Sequence, residues 1–147
     1  MGTTTFSGPV KAGTIREGAS ANAGFALMAQ SAKITFAADG TTTVVARIPA
    51  NSQIFQITVD VTTAFDAGSA NTLDIGDGTT ADKYADALAL GSLARVLATS
   101  DVSQISNLID IGTSDVAITT TYNQSGSAAS AGAATVTVLY LQNNNLS

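Results

Sequence analysis

The segment 54–63 alternates with period two. Phe55, Ile57, Val59 and Val61 fall on one face, and Gln56, Thr58, Asp60 and Thr62 fall on the other. Apolar residues of a helix recur every three or four positions, so this run is a strand with one core face and one wet face. The segment 41–48 repeats the pattern, with Val44, Ala46 and Ile48 against Thr43, Val45 and Arg47. Pro49 stops it, because proline has no N–H to give to a ladder. Pro49-Ala50-Asn51-Ser52 then reads as a turn. The two strands are joined either as a hairpin or at a corner where the chain changes sheets.

Further strands are expected at 24–30 and 32–37, the second closed by the turn pair Asp39-Gly40, and at 72–75 before Gly76-Asp77-Gly78. Others follow at 107–111, 116–122 and 134–142. The stretch 125–133 holds only Gly, Ser and Ala, the composition of a mobile loop. About eight short strands with frequent turns predict an all-β chain, an antiparallel β-sandwich or a small barrel. Phe6, Phe25, Phe36, Phe55 and Phe65 are its expected core anchors. Within 80–97, Tyr84 and Leu88 are four apart, as are Leu93 and Leu97. That spacing suits a short helix there, with loop plus strand as the other reading. Leu73-Asp74-Ile75-Gly76 echoes Ile109-Asp110-Ile111-Gly112, so two equivalent sheet corners are also conceivable.

Residues 1–23 differ. Phe6, Val10 and Ile15 are too sparse for a self-supporting strand, and Pro9 and several glycines lie among them. They read as an N-terminal arm ordered by a partner, ahead of a single domain at 24–147. An ordinary edge strand is the simpler alternative.

The composition removes most chemistry. Among 147 residues there is no histidine, cysteine or tryptophan. Ser-His-Asp and Cys-His catalysis, thiolate sites, histidine metal sites and disulfides are excluded. Six basic residues against eleven acidic ones give a net charge of −5, which cannot easily furnish a face for nucleic acid. No apolar run approaches the ~20 residues that span a bilayer, and no secretory leader is visible, so the chain is expected to be made and to stay in the cytoplasm. Only 12% of residues are charged. A surface of Thr, Ser, Ala and Asn loses little on desolvation, which suits large permanent contacts.

Asp74, Asp77 and Asp82 surround the Gly-rich turn 76–78. Such oxygen ligands could hold calcium, yet their spacing departs from the EF-hand pattern, and Asp and Gly are what any tight turn requires. The first reading is therefore a turn with no metal and no cofactor, and the second a calcium site at Asp74, Asp77 and Asp82. A glycosidase pair would need aromatic platforms that a 5% aromatic chain lacks. No phosphate loop and no nucleophile elbow is present. Arg16, Arg47 and Arg95 are isolated cations, suited to ion pairs or interfaces.

Four segments carry a resemblance: Phe6-Ser7-Gly8-Pro9-Val10-Lys11-Ala12-Gly13, the strand region 48–66, Leu73-Asp74-Ile75-Gly76-Asp77-Gly78-Thr79-Thr80-Ala81-Asp82-Lys83-Tyr84, and the closing Ala134-Thr135-Val136-Thr137-Val138-Leu139-Tyr140. Together they resemble the head decoration, or cement, proteins of tailed bacteriophages. That resemblance implies an antiparallel β-sandwich or jelly-roll-like module and a non-enzymatic virion protein on the capsid exterior. Such a protein would be a homotrimer bridging capsomers and contacting the major capsid protein, with no nucleic-acid or membrane partner. It also implies that the arm touches the capsid, through Phe6, Pro9, Val10, Lys11, Ile15 and Arg16. A second reading is a phage tail or fibre module, or another sugar- or receptor-binding sandwich, using the Asp-rich loop and Tyr84.

Overall fold

The computed structural model describes residues 25–98, 106–109 and 111–143. Its central strand is β8 (Ala133–Asn143), where Ala134, Val136, Val138 and Tyr140 are buried and alternate with half-buried Thr135, Thr137, Leu139 and Leu141. Chain order gives β1 (Phe25–Thr35), β2 (Thr42–Ile48), β3 (Gln53–Thr63), β4 (Ala70–Gly76), β5 (Ala85–Ala89), β6 (Ala94–Leu97), a helical turn α1 (Ser106–Ile109), β7 (Val116–Ser125) and β8. They form two four-stranded antiparallel sheets, ordered β1-β8-β3-β6 and β2-β7-β4-β5. The all-β sandwich of about eight strands is what the alternation predicts.

Nearly every connection changes sheet; only β4 and β5 are neighbours in both sequence and space. The 41–48 and 54–63 strands accordingly meet at a sheet-switching corner. Asn51 turns it with φ 58, a left-handed conformation that asparagine tolerates. Its N–H donates to Gly112 O at 2.8 Å, and the N–H of Ala50 donates to Asp115 Oδ1 at 2.9 Å.

The core fills the space between the sheets. Ile57, Val59 and Val61 of β3 and Val136 and Val138 of β8 meet Ile48, Leu73, Ile75, Ile118 and Tyr122 of the second sheet. Each fully buried aliphatic side chain contributes about 1.5–3 kcal/mol relative to exposure. Phe65 packs on Tyr122 with ring centroids 4.7 Å apart, and the Tyr122 hydroxyl donates to Asn71 Oδ1 at 2.7 Å.

Several expectations are corrected. A β-bulge between Ile54 and Gln56 buries Ile54 and leaves Phe55 63% exposed, so Phe55 is no core anchor. A second bulge between Val44 and Ala46 likewise buries Val45 and exposes Val44. The expected strands 24–30 and 32–37 merge into one strand that ends at Thr35, with the Ser31 hydroxyl bonding Thr137 in the ladder, and Phe36–Ala38 form a 3-10 turn. The 80–97 region forms β5 and β6 rather than a helix. Tyr84, Leu88 and Leu90 share even spacing, and a separation of four satisfies either period; Gly91-Ser92 then stops helix propagation. Over the described part of the expected 107–111 strand, Ser106–Ile109 form the turn α1 instead, with Leu108 in the core.

The 125–133 loop is tied rather than loose. Asp66 accepts from the N–H groups of Ser130 and Ala131 at 2.7 and 2.9 Å and from the Ser130 hydroxyl at 2.8 Å. These bonds, led by that of Ala131, lower the Asp66 carboxyl below its usual range.

Candidate functional site

The arm residues Phe6, Pro9, Val10, Lys11, Ile15 and Arg16 lie outside the described residues, as does the 1–23 boundary. The Asp-rich loop lies within them. Asp77 begins it as a turn-former: its Oδ1 accepts from the N–H groups of Thr79 and Thr80 at 2.9 and 2.8 Å, and its Oδ2 pairs with Lys83 Nζ at 2.9 Å. Burial alone would raise its pKa, but the bonds from Thr80, Lys83 and Thr79 outweigh burial and bring it down to about 2. Asp74 is engaged elsewhere, accepting from Ala87 N at 2.9 Å and from Asn123 Nδ2 at 2.7 Å. Asp82 is exposed. Among the described residues no group of three or more acidic side chains is placed to hold a metal ion. The loop folds as it does because Gly76 lies against the backbone of Thr80 and Ala81, where a Cβ would collide.

Tyr84 is 1% exposed. Its ring belongs to the core and its backbone N–H donates to Ile75 O at 2.8 Å. The aromatic that a sugar- or receptor-binding loop would need is thus turned inward.

The surfaces that remain are the outer faces of the two sheets, and they are unlike. On the second sheet, Thr42 and Thr121 share a hydrogen bond at 3.0 Å, and Asp74, opposite Thr121, holds Asn123. Thr119 accepts from Gly78 N at 3.1 Å. Apart from Val44, exposed opposite Thr119, this face is a polar ladder whose groups satisfy one another.

On the first sheet, strand register defines rows across the outer face. Leu27 lies opposite Leu141, which lies opposite Gln53. Next come Ala29, Leu139 and Gln56, beside the bulged Phe55. The third row is Ser31, Thr137, Thr58 and Leu97; the fourth is Lys33, Thr135, Asp60 and Arg95. Arg95 closes that row with a fork onto Asp60, Nε to Oδ1 at 2.5 Å and Nη2 to Oδ2 at 3.2 Å. One end of this face is therefore apolar and the other carries charge. The sequence pattern placed Phe55 in the core and Arg95 in an ion pair or interface, and gave no role to Leu27, Leu139 or Leu141. Its available signal was the run Val138-Leu139-Tyr140-Leu141, apolar on both phases of a strand that should have one wet face.

No family model and no curated protein matches this sequence. Solved structures do match in fold. A chain in the capsid asymmetric unit of cyanophage Pam1 is 17% identical with a TM-score of 0.58, over 89% of this chain and 94% of that one. A chain in the capsid of Ralstonia phage GP4 is 18% identical with a TM-score of 0.56, over 86% and 90%. A chain in the acidic stable capsid of Helicobacter pylori bacteriophage KHP30 is 14% identical with a TM-score of 0.53, over 82% and 92%. At these identities the likeness is one of fold, and it runs nearly end to end in both directions.

Proposed function

We propose that this chain is a structural, non-enzymatic component of a bacteriophage virion that decorates and stabilises the capsid exterior, as a homotrimer bridging capsomers of the major capsid protein. The observation that carries the reading is the end-to-end match of its sandwich to chains of three phage capsids. Fold alone does not assign function, so the surface chemistry matters equally. A chain without histidine or cysteine has no side chain that titrates unperturbed near neutral pH. A weakly charged surface costs little to desolvate in a permanent assembly. Phe6, Pro9, Val10, Lys11, Ile15 and Arg16 are proposed as the arm's capsid contacts. With Tyr84 buried, the receptor-binding alternative lacks its aromatic.

The test mixes purified chain with shells assembled from the major capsid protein of the same phage, pellets them, and sizes the free chain by light scattering. Saturable co-pelleting and a trimeric mass are expected. A chain found with isolated tails and not with shells would overturn the reading.

A further inference from the structure

We infer that the Gln30 side chain is a clasp between the two sheets: its amide stands in for a neighbouring strand on β2, and so closes the β2 edge to pairing with a second copy of this chain. The clasp is independent of the capsid reading.

β1 ends one sheet and β2 ends the other. Gln30 belongs to the inward phase of β1, where it lies opposite fully buried Val138. Its companions in that phase are Met28, Ala32 and Ile34, opposite Tyr140, Val136 and Ala134. A polar side chain in such a row is costly unless its amide finds partners. Both hydrogens of the amide and its oxygen are engaged. Nε2 donates to Arg47 O at 2.7 Å and to the Tyr140 hydroxyl at 3.0 Å, and Oε1 accepts from the Arg47 N–H at 2.9 Å. The pattern fixes which way the amide points, since its nitrogen must face the Arg47 carbonyl and its oxygen the Arg47 N–H.

Donating to the carbonyl and accepting from the N–H of one residue is what a paired residue of an adjacent strand does. Residues along an antiparallel pair alternate between facing the partner strand and facing away from it. Arg47 gives both groups to Gln30, so it faces away from β7, while Ala46 and Ile48 face toward it. The neighbouring parts of this edge are blunted by other means. A bulge lies between Val44 and Ala46, and Pro49 follows Ile48 with no N–H to offer. Arg47 is thus the outward-facing residue between the bulge and the proline, and Gln30 covers it. Bulges and prolines guard sheet edges because bare edges recruit strands from other chains. Gln30 completes that guard from within the molecule.

The experiment replaces Gln30 by Met, which keeps its length and lacks its amide; Gln30→Leu takes its place if Gln30→Met does not fold. Residue-resolved amide exchange follows Arg47, and light scattering follows mass over a concentration series. In the unaltered chain the Arg47 amide is expected to exchange about tenfold or more slower than in an unfolded chain, a result that needs no variant. In dilute Gln30→Met that amide is expected to exchange about tenfold or more faster than in the unaltered chain, with Ile48 changing far less. As concentration rises, the variant's mass is expected to climb above that of the unaltered chain, and Arg47 to regain its protection. An unprotected Arg47 in the unaltered chain overturns the clasp, as does a Gln30→Met chain whose Arg47 stays as protected as before. A variant with Arg47 freed and a mass equal to that of the unaltered chain at every concentration overturns the closed edge. Association in which Arg47 remains unprotected overturns it too, because the copies then join elsewhere.

Discussion

Gly132 lies beneath the ring of Phe65, so close that a Cβ on it would stand 2.5 Å from two ring carbons. Its φ of 149 is also a value that L side chains rarely adopt. The contact ties the β7–β8 loop to the residue that follows β3 and packs on Tyr122. Gly132→Ala is expected to cost about 2–3 kcal/mol through overpacking and strain. In a Phe65→Leu background the same change should cost less, because the ring it strikes is gone. Urea titration of the four species measures this, and strictly additive costs would mean the contact is not the cause.

Val59 and Phe55 lie on the same strand at the same parity, yet one is fully buried and the other exposed. Val59→Asp places an unpaired charge between the sheets and should cost more than ~4 kcal/mol, enough to prevent folding. Phe55→Asp, at the bulge itself, should shift stability by less than ~1 kcal/mol. Soluble yield and thermal melts separate the two; a normally melting Val59→Asp would contradict the packing of β3.

The same pair shows what could be read in advance. The strands at 41–48, 54–63 and 134–142 were legible because one side must face oil and the other water, a constraint local to each strand. Bulges are not local. On β8 the partners Leu139 and Tyr140 are adjacent, while β3 inserts Phe55 between Ile54 and Gln56, and nothing in either segment alone announces the mismatch. For the same reason Tyr84 could not be told from a surface aromatic: its burial depends on docking beside Ile75, whose carbonyl accepts its N–H. The outer-face residues were hidden in another way, since apolar residues on the wet phase of a strand look like extra core until the sheet order is known.

Asp77 should make stability depend on acid. Its folded pKa of about 2 lies below the ordinary 3.8, so the native state favours the ionised form. That stabilisation is fully present above pH ~4 and is lost as the pH falls through about 2. For a largely shielded side chain paired with a partly exposed lysine it amounts to about 1–2 kcal/mol. Asp77→Asn should therefore melt lower than the parent at pH 7, and the gap should close near pH 2. A gap unchanged with pH would remove Asp77 from the acid response.

Calcium and chelator should leave the melting temperature unchanged. The Asp77 carboxylate is spent on two backbone N–H groups and Lys83, and that of Asp74 on Ala87 and Asn123. An ion would have to displace Lys83 and gather Asp82 from solvent. Calorimetric scans in millimolar calcium and in EDTA decide it. A calcium-dependent rise, abolished in Asp82→Asn, would convert the turn at 76–78 into a metal site.

Removing residues 1–13 should leave the sandwich folded and weaken its assembly. Among the described residues, every member of the buried core lies between Ile34 and Tyr140, and the first strand pairs along its length with β8 from Phe25 onward. The described ladders and core are assembled from residues 25–143, so the melting temperature should fall by only a few degrees, about 1 kcal/mol in stability. Shell binding, by contrast, should drop about tenfold or more if Phe6, Pro9, Val10 and Lys11 are capsid contacts. Light scattering, melting and co-pelleting on the truncated chain give the answer together. A truncated chain that cannot fold would make the segment part of the core, and one that binds shells as the full chain does would remove it from the interface.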